Sequence, residues 1–109
     1  MTWTINYYDI DLEEEILALP ETLLARYLRL TDLMKQHGAN LGSPHTEAFG
    51  NGLFELRLKG KEGIARVFYC TMVGKNIHML HCFIKKSQKT PGKEKRLAEK
   101  RMKEVKKNA

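Results

Sequence analysis

Residues 53–84 decide the fold, and they read LFELRLKGKEGIARVFYCTMVGKNIHMLHCFI. Three runs rich in apolar, aromatic and β-branched residues predict three strands. The strands are expected at residues 53–59, 64–73 and 76–84. Residues 60–63 and the pair Gly74-Lys75 have the composition of tight turns. Strands joined by such short turns pair antiparallel, so this stretch predicts a β-meander.

The residues before the meander predict a short strand at residues 4–8 and then two helices. Asp11 is the expected N-cap of the first helix, which has to end before Pro20. The second helix is expected over Glu21–His37, because apolar residues recur there at helical spacing. These residues are Leu23, Tyr27, Leu30 and Met34. Their stripe gives the second helix an apolar face to bury against the sheet.

Two segments remain, a loop at residues 38–52 and a basic helix at residues 92–106. The loop holds four of the eight glycines and is long for a small domain, which favours contact with a partner. The element order β-α-α-β-β-β-α predicts an α+β fold. We expect a single domain over residues 1–109. It combines a small antiparallel β-sheet, two N-terminal helices packed on one face, and a basic C-terminal segment at residues 85–109.

The formal net charge of +6 is unevenly distributed along the chain. Residues 1–84 carry 8 basic and 10 acidic residues, a net charge of −2. Residues 85–109 carry 11 basic and 3 acidic residues, a net charge of +8. A basic block on a near-neutral domain favours a polyanionic partner, most often a nucleic acid. A solvated helix with a frayed tail would show the same charge pattern, so charge alone leaves both interpretations open.

Composition and motifs exclude several classes of protein. The chain has no apolar run near the ~20 residues that a membrane-spanning helix needs, and its start does not resemble a secretory signal. Cys70 and Cys82 are too few for a four-thiolate zinc site and are expected to be buried core residues in a reducing cytoplasm. Metal, nucleotide and serine-hydrolase motifs are absent from the sequence, so we expect no metal and no cofactor.

Strand pairing places the polar and aromatic side chains of the meander on one face of the sheet. If both turns are symmetric, three cross-strand pairs follow: Arg57–Arg66, Phe68–His81 and Arg66–Phe83. Successive side chains alternate between faces. One face then holds Arg57, Arg66, Phe68, His81, Phe83 and Lys85. The other face holds Leu56, Leu58, Ala65, Val67, Tyr69, Leu80, Cys82 and Ile84, and we expect it to pack on the two helices.

Two arginines directly across a strand pair repel each other, so something has to offset their charges. Glu55 lies on the same face and would do so as a structural ion pair. A bound anion would do so as well, since the planar guanidinium suits phosphate. Arginines beside aromatic rings are what an RNA-binding or RNA-cleaving surface requires. His81 is the one histidine of the sequence that this register groups with the arginines.

Three blocks of the sequence resemble the RelE/HigB-type toxins of bacterial toxin–antitoxin pairs, in their phage-derived branch. The blocks are GLFELR at residues 52–57, ARVFY at residues 65–69 and LHCFIKKSQKTP at residues 80–91. The resemblance covers nearly the whole chain. It implies the RelE/ParE-like fold and an mRNA endoribonuclease that inhibits translation on the ribosome, in the cytoplasm. Its implied partners are the ribosome, mRNA and a cognate antitoxin, often a helix-turn-helix protein.

The resemblance also implies a metal-independent reaction in which a ribose 2′-hydroxyl attacks the adjacent phosphate. Arg66 corresponds to the strand arginine that contacts the scissile phosphate, and Arg57 and Lys86 correspond to two further basic positions. The expected catalytic residues are Arg57, Arg66, His81, Lys85 and Lys86. The expected RNA-binding residues are Phe68, Phe83, Lys89, Lys93 and Arg96. The proton carrier is either His81 or a lysine, because the tyrosine that some relatives have after the last strand is absent here.

Two other functions stay open. An inhibitor of DNA gyrase of the ParE type shares the fold, but it needs no phosphate site. The cations Arg57, Arg66, Lys85 and Lys86 therefore favour the nuclease. A non-catalytic RNA-binding relative would keep these cations without cleaving RNA.

Overall fold

The computed structural model describes residues 2–85 and 91–109. Within these ranges the chain forms five strands and three helices, in an order that confirms the predicted α+β class. In chain order they are β1 (Thr4–Tyr7), α1 (Ile10–Leu17), α2 (Glu21–His37), β2 (Thr46–Ala48), β3 (Leu53–Gly60), β4 (Gly63–Met72), β5 (Asn76–Lys85) and α3 (Gly92–Lys107). None of the helices in these ranges is long and apolar enough to cross a membrane.

The strands form one sheet in the order β1-β5-β4-β3-β2. Strands β3, β4 and β5 make the predicted antiparallel meander, and β2 extends it beside β3. β1 pairs parallel with β5, with Thr4 opposite Asn76, so the sheet is mixed and not wholly antiparallel. β2 lies inside the segment predicted as a loop, and its three residues are too few to show a periodic pattern.

The helices begin and end close to the predicted residues. α2 spans Glu21–His37 as expected, and the chain leaves it at Gly38 with a φ of +106°, which glycine adopts without strain. The N-cap of α1 is Asp9 and not Asp11. The Asp9 carboxylate accepts a hydrogen bond from the backbone N–H of Leu12 at 2.8 Å, and the extended backbone at Asp9 allows that geometry.

The predicted register around the arginines is confirmed. The confirmed pairs are Arg57–Arg66, Phe68–His81 and Arg66–Phe83. The turn between β4 and β5 is nevertheless one residue longer than predicted, because Met72 pairs with Asn76. A β-bulge in β5 absorbs this extra residue, since Tyr69 pairs with Met79 and the register skips Leu80. The longer turn and the β-bulge cancel each other, so the predicted pairs are present although the sequence pattern shows neither feature.

The bulge also moves Leu80 to the face opposite the predicted one. Leu80 packs with Phe68 and Cys70 of β4 and with Ala98 and Met102 of α3. The prediction that Leu80 faces the N-terminal helices is wrong, because side-chain alternation does not continue through a bulge.

Each face of the sheet carries an apolar core. α1 and α2 cover one face, where Leu23 and Tyr27 meet Tyr69 as predicted. α3 covers part of the other face, so the basic C-terminal helix is a packed layer of the fold as well as a charged surface. Cys70 and Cys82 are free and buried, one in each core, as predicted.

Candidate cationic site

A pocket lies at the edge of the sheet beside the first residue of β2, Thr46. β2 pairs with β3 as far as Leu56, and the next residue, Arg57, donates its backbone N–H to the His45 carbonyl at 2.9 Å. The pocket beside this point has a volume of about 350 Å³. Its lining residues are Arg26, Pro44, His45, Arg57, Lys59, Ile64 and Arg66. Four of these seven side chains are cationic and none of the seven is acidic, so this cationic pocket suits an anion.

The two arginines that face each other are held by the buried carboxylate of Glu55. Glu55 is 1 % exposed, and its Oε1 lies 3.5 Å from Arg66 Nε and 3.7 Å from Arg57 Nε. Glu47 lies opposite Glu55 on β2 and forms an ion pair with the Arg57 guanidinium. Of the two explanations that the sequence leaves open, the structural ion pair is therefore present, and two carboxylates offset the repulsion between the arginines.

Arg66 is the more deeply placed of the two arginines. Its side chain is 10 % exposed, against 34 % for Arg57. Burial lowers the pKa of Arg66, the nearby Glu55 carboxylate raises it, and Arg57 lowers it again. A guanidinium starts from so high a pKa that it stays protonated at neutral pH. Arg66 therefore presents a fixed positive charge at the wall of the pocket.

The charges around the pocket leave a positive excess. Four cationic side chains line it, and the carboxylates of Glu47 and Glu55 lie beside two of them, which gives a formal excess of +2. A phosphodiester carries one negative charge, and the pentacoordinate species formed when it is attacked carries two. Fixed cations that match a developing charge are a large catalytic term in reactions of this kind. The pocket therefore has the electrostatics that phosphoryl transfer needs.

Three of the predicted site residues lie beneath or against α3 and do not line the pocket. Phe68 is fully buried in the core under α3, so the prediction that its ring stacks on RNA bases is wrong. His81 Nε2 lies 3.3 Å from an Oε2 of Glu94 in α3, and its ring stacks on Phe83 with centroids 5.8 Å apart. Phe83 is half-buried. The sequence predicts one face of the sheet with cations among aromatic rings. In the structure, one end of that face is the cationic pocket, and α3 covers the other end.

The remaining predicted site residues, four lysines and Arg96, lie in three different parts of the chain. Lys85 is half-buried at the end of β5, opposite Ile64, a residue that lines the cationic pocket. Lys86 and Lys89 lie outside the described residues, so their roles stay predictions. Lys93 and Arg96 are exposed near the start of α3.

Lys93 and Arg96 begin a row of exposed cations along the outer side of α3, here called the basic ridge. The basic ridge consists of Lys93, Arg96, Lys100, Lys103 and Lys107. Their spacings of three and four residues place them on one side of the helix over a length of about 21 Å. Two acidic residues of α3 turn inward instead: Glu94 toward His81, and Glu104 to accept a 2.5 Å hydrogen bond from the Tyr8 hydroxyl. The third, Glu99, is half-buried and lies three residues after Arg96 and four before Lys103, so the basic ridge keeps a large excess of positive charge.

The structure adds three residues that sequence reasoning did not assign to the site. Lys59 follows Arg57 by two positions on β3 and shares its face, so alternation along the strand was a sufficient signal for it. Arg26 and His45 reach the pocket from α2 and from the loop before β2. Their approach to β3 depends on how those segments pack, which no periodicity in the sequence reports.

Comparisons with known proteins show the family and the fold. A family model described as "Phage derived protein Gp49-like" matches residues 14–103. A chain in the crystal structure of the archaeal RelE–RelB complex from Pyrococcus horikoshii OT3 is similar to this chain, with a TM-score of 0.55 and 18 % sequence identity. The similarity covers 77 % of this chain and 96 % of that chain, and it shows the fold. No curated protein matches the sequence significantly.

Proposed function

The chain belongs to the Gp49-like family of phage-derived proteins, and from that premise we propose that it is a RelE-type toxin that cleaves mRNA on translating ribosomes in the cytoplasm. A cognate antitoxin would neutralise it. Support for such a partner comes from the similar solved structure, in which RelE is in complex with RelB. The observation that carries the proposal is the cationic pocket, where two arginines in fixed positions meet two further cations beside an open strand edge.

In the proposed reaction, these residues supply every group that takes part besides the RNA itself. The ribose 2′-oxygen forms a bond to phosphorus, and the bond from phosphorus to the 5′-oxygen breaks. The products are a 2′,3′-cyclic phosphate and a free 5′-hydroxyl. Arg66 and Arg57 would contact the non-bridging oxygens, because their guanidinium groups pair with phosphate through two parallel hydrogen bonds. Arg26 and Lys59 would add charge as the negative charge on the phosphate increases.

One proton has to leave the 2′-hydroxyl and one has to reach the 5′-oxygen. His81 and a lysine are the two carriers that the sequence leaves open, but His81 contacts Glu94 and does not line the cationic pocket. His45 does line it, and histidine is the side chain that most often transfers protons in catalysis. We therefore assign proton transfer to His45, with Lys85 or Lys86 as the second carrier. His81 then has the role of holding α3 against the sheet.

The basic ridge would hold ribosomal RNA. Its cations are exposed and lie along about 21 Å of helix, so they can contact several phosphates in succession. Such contacts do not depend on base sequence and weaken steeply with salt. The basic ridge therefore supplies affinity for the ribosome, and the cationic pocket supplies the chemistry.

Expression of the protein alone in bacteria, followed by primer extension of cellular mRNA, tests the proposal. We expect cuts that require translation and that Arg66→Ala reduces about 10²–10³-fold. Arg66→Lys keeps the charge that pairs with Glu55 but loses the planar fork, so it should fold and cleave at an intermediate rate. Arg29→Ala is the matched control, because Arg29 is exposed on α2 and does not line the pocket.

Three outcomes would contradict the proposal. Growth arrest with intact mRNA and a DNA-damage response would favour a gyrase inhibitor. RNA binding without arrest or cleavage would favour a non-catalytic relative. Equal loss of cleavage in Arg29→Ala and Arg66→Ala would show that the cationic pocket is not the site.

A further inference from the structure

A second, larger pocket lies on the other side of the molecule and shares no lining residue with the cationic pocket. It has a volume of about 770 Å³ and opens between the end of β1, the β4–β5 turn and the last turns of α3. The lining residues that matter here are Tyr7, Tyr8, Asp9, Val73, His78 and Glu104. We call it the acidic groove, because its lining includes two carboxylates and, among the residues that the structure describes, no lysine or arginine.

The groove is negative in a protein whose formal net charge is +6. Burial lowers the pKa of His78, which disfavours the charged form of this side chain. The pKa of Tyr8 is raised, chiefly by its hydrogen bond to Glu104, and the pKa of Tyr7 is raised by burial, so neither hydroxyl ionises at neutral pH. Asp9 and Glu104 are therefore the charged residues of the lining, and the Arg101 guanidinium lies outside it, over the Tyr8 ring at 4.5 Å from the centroid, which leaves a formal excess of negative charge.

The acidic groove adjoins the start of α1, because Asp9 lines the groove and the next residue, Ile10, begins the helix. Residues 9–21 contain six acidic and no basic residues. Ile10, Glu14 and Leu17 are exposed at spacings of four and three residues and so lie on one side of α1. Ile10 is 69 % exposed and Leu17 is 49 % exposed, while Val73 at the groove rim is 97 % exposed. Large apolar side chains beside carboxylates are typical of a surface that another protein covers.

We propose that the acidic groove and the exposed side of α1 bind a basic amphipathic helix of a partner protein. Lysines or arginines of that helix would pair with Asp9, Glu14 and Glu104, and its apolar residues would cover Ile10, Leu17 and Val73. A second copy of this chain fits poorly. Its basic ridge matches in charge, but the exposed residues of α3 include no large apolar side chain. The inference does not rest on RNA cleavage; if the proposed function holds, the partner is the antitoxin.

A defined peptide tests the proposal on the intact protein. The probe is a fluorescent 15-residue helix with lysine and leucine on adjacent sides, and the measurement is fluorescence anisotropy at low and high salt. We expect binding that weakens with salt and that falls at least about tenfold in Ile10→Ser/Val73→Ser, since two exposed apolar contacts are lost. Leu28→Ser is the matched control. Leu28 is 48 % exposed on α2, outside the proposed surface, and its replacement should change affinity less than about twofold.

Other results would overturn the proposal. Equal losses of affinity in Leu28→Ser and Ile10→Ser/Val73→Ser would indicate non-specific apolar adsorption. In an NMR titration, amide shifts in the first turns of α3, around Lys93 and Arg96, in place of α1 and the β4–β5 turn would place the peptide elsewhere. Sedimentation showing a homodimer that Val73→Ser abolishes would assign the surface to a second copy. Arg66→Ala should bind the peptide like the unaltered protein, so a failed cleavage assay and a failed docking assay are distinguishable.

Discussion

Replacement of Glu55 by glutamine tests whether the arginines of the cationic pocket depend on one buried carboxylate. Glu55 is 1 % exposed, and its Oε1 lies within 3.7 Å of the Nε atoms of both Arg57 and Arg66. Glutamine has nearly the same size but no charge. The substitution leaves two facing guanidinium groups with Glu47 as their neighbouring carboxylate, and Glu47 pairs with Arg57.

The expected cost follows from burial. Loss of one partner from a buried ion pair typically costs about 3–5 kcal/mol. Since Arg57 keeps Glu47 and is one-third exposed, we expect the lower end, about 3 kcal/mol, for Glu55→Gln. Glu47→Gln is the matched control, because the Glu47 side chain is 44 % exposed and exposed ion pairs contribute about 0–1 kcal/mol. Urea unfolding followed by circular dichroism measures both values.

The same variants connect stability with anion binding. If the pocket accepts phosphate, an added phosphate ion should restore part of the lost charge balance. It should therefore stabilise Glu55→Gln more than it stabilises the unaltered protein. The general stabilising effect of phosphate salts is common to both proteins and cancels in the difference. Equal free energies of unfolding for the two glutamine variants would refute the argument. Equal stabilisation of Glu55→Gln and the unaltered protein by phosphate would show that the pocket does not recognise the anion.

Four further results are expected. Phe68→Ala should lower the free energy of unfolding by about 3–5 kcal/mol, measured in urea, because the ring is fully buried; a change below about 1 kcal/mol would contradict its place in the core. His45→Gln should reduce mRNA cleavage about 10²-fold with no change in stability, whereas His81→Gln should mainly weaken the packing of α3 on the sheet. A loss of cleavage in His81→Gln and not in His45→Gln would make His81 the proton carrier. Burial raises the pKa of the Cys82 thiol to about 12, against an ordinary value near 9. The thiol of the unfolded chain therefore loses its proton first, so the free energy of unfolding should fall as pH rises from about 9 toward 12, and it should fall less in Cys82→Ala. Lys100→Glu on the basic ridge should weaken ribosome binding and flatten its salt dependence, measured by co-sedimentation with ribosomes, while leaving the cationic pocket intact.

Periodicity in the sequence was enough to predict most of the fold. The bounds of α2 and the register around Arg66 follow from apolar spacing and turn composition, because one buried face strongly constrains both. Two of the differences from the predicted fold have local causes. Asp9 caps α1 in place of Asp11 because its backbone is extended and its carboxylate accepts from the Leu12 N–H, whereas Asp11 already lies inside the helix. Leu80 lies on the opposite face because a β-bulge adds one residue to β5 there, and the residue types around it do not predict the bulge.

The site was predicted less well, and the reason is the position of α3. Eight of its sixteen residues are basic, so its sequence is typical of a solvated helix, while its buried residues, Ala98 and Met102, give a weak apolar signal. Packing of this helix on the sheet removes Phe68 and His81 from the predicted surface and leaves the cationic pocket at the far edge. The arginines were found because they lie on strands. Arg26 and His45 were missed because tertiary packing brings them to the strands.

The inward-facing acids of α3 explain how one small domain can present two surfaces of opposite sign. Glu94 and Glu104 contact His81 and Tyr8 within the fold, which leaves Glu99 as the one acid of α3 beside the five cations of the basic ridge. The acidic residues of α1 have no comparable row of cations beside them in sequence, since residues 9–21 contain no base. A polyanion will therefore orient the molecule with the basic ridge and the cationic pocket toward the phosphates, and with α1 away from them. A partner that binds α1 should then leave the cationic pocket accessible. Such a partner would inhibit cleavage sterically, because its size would keep the protein from the ribosome, and it would not fill the pocket.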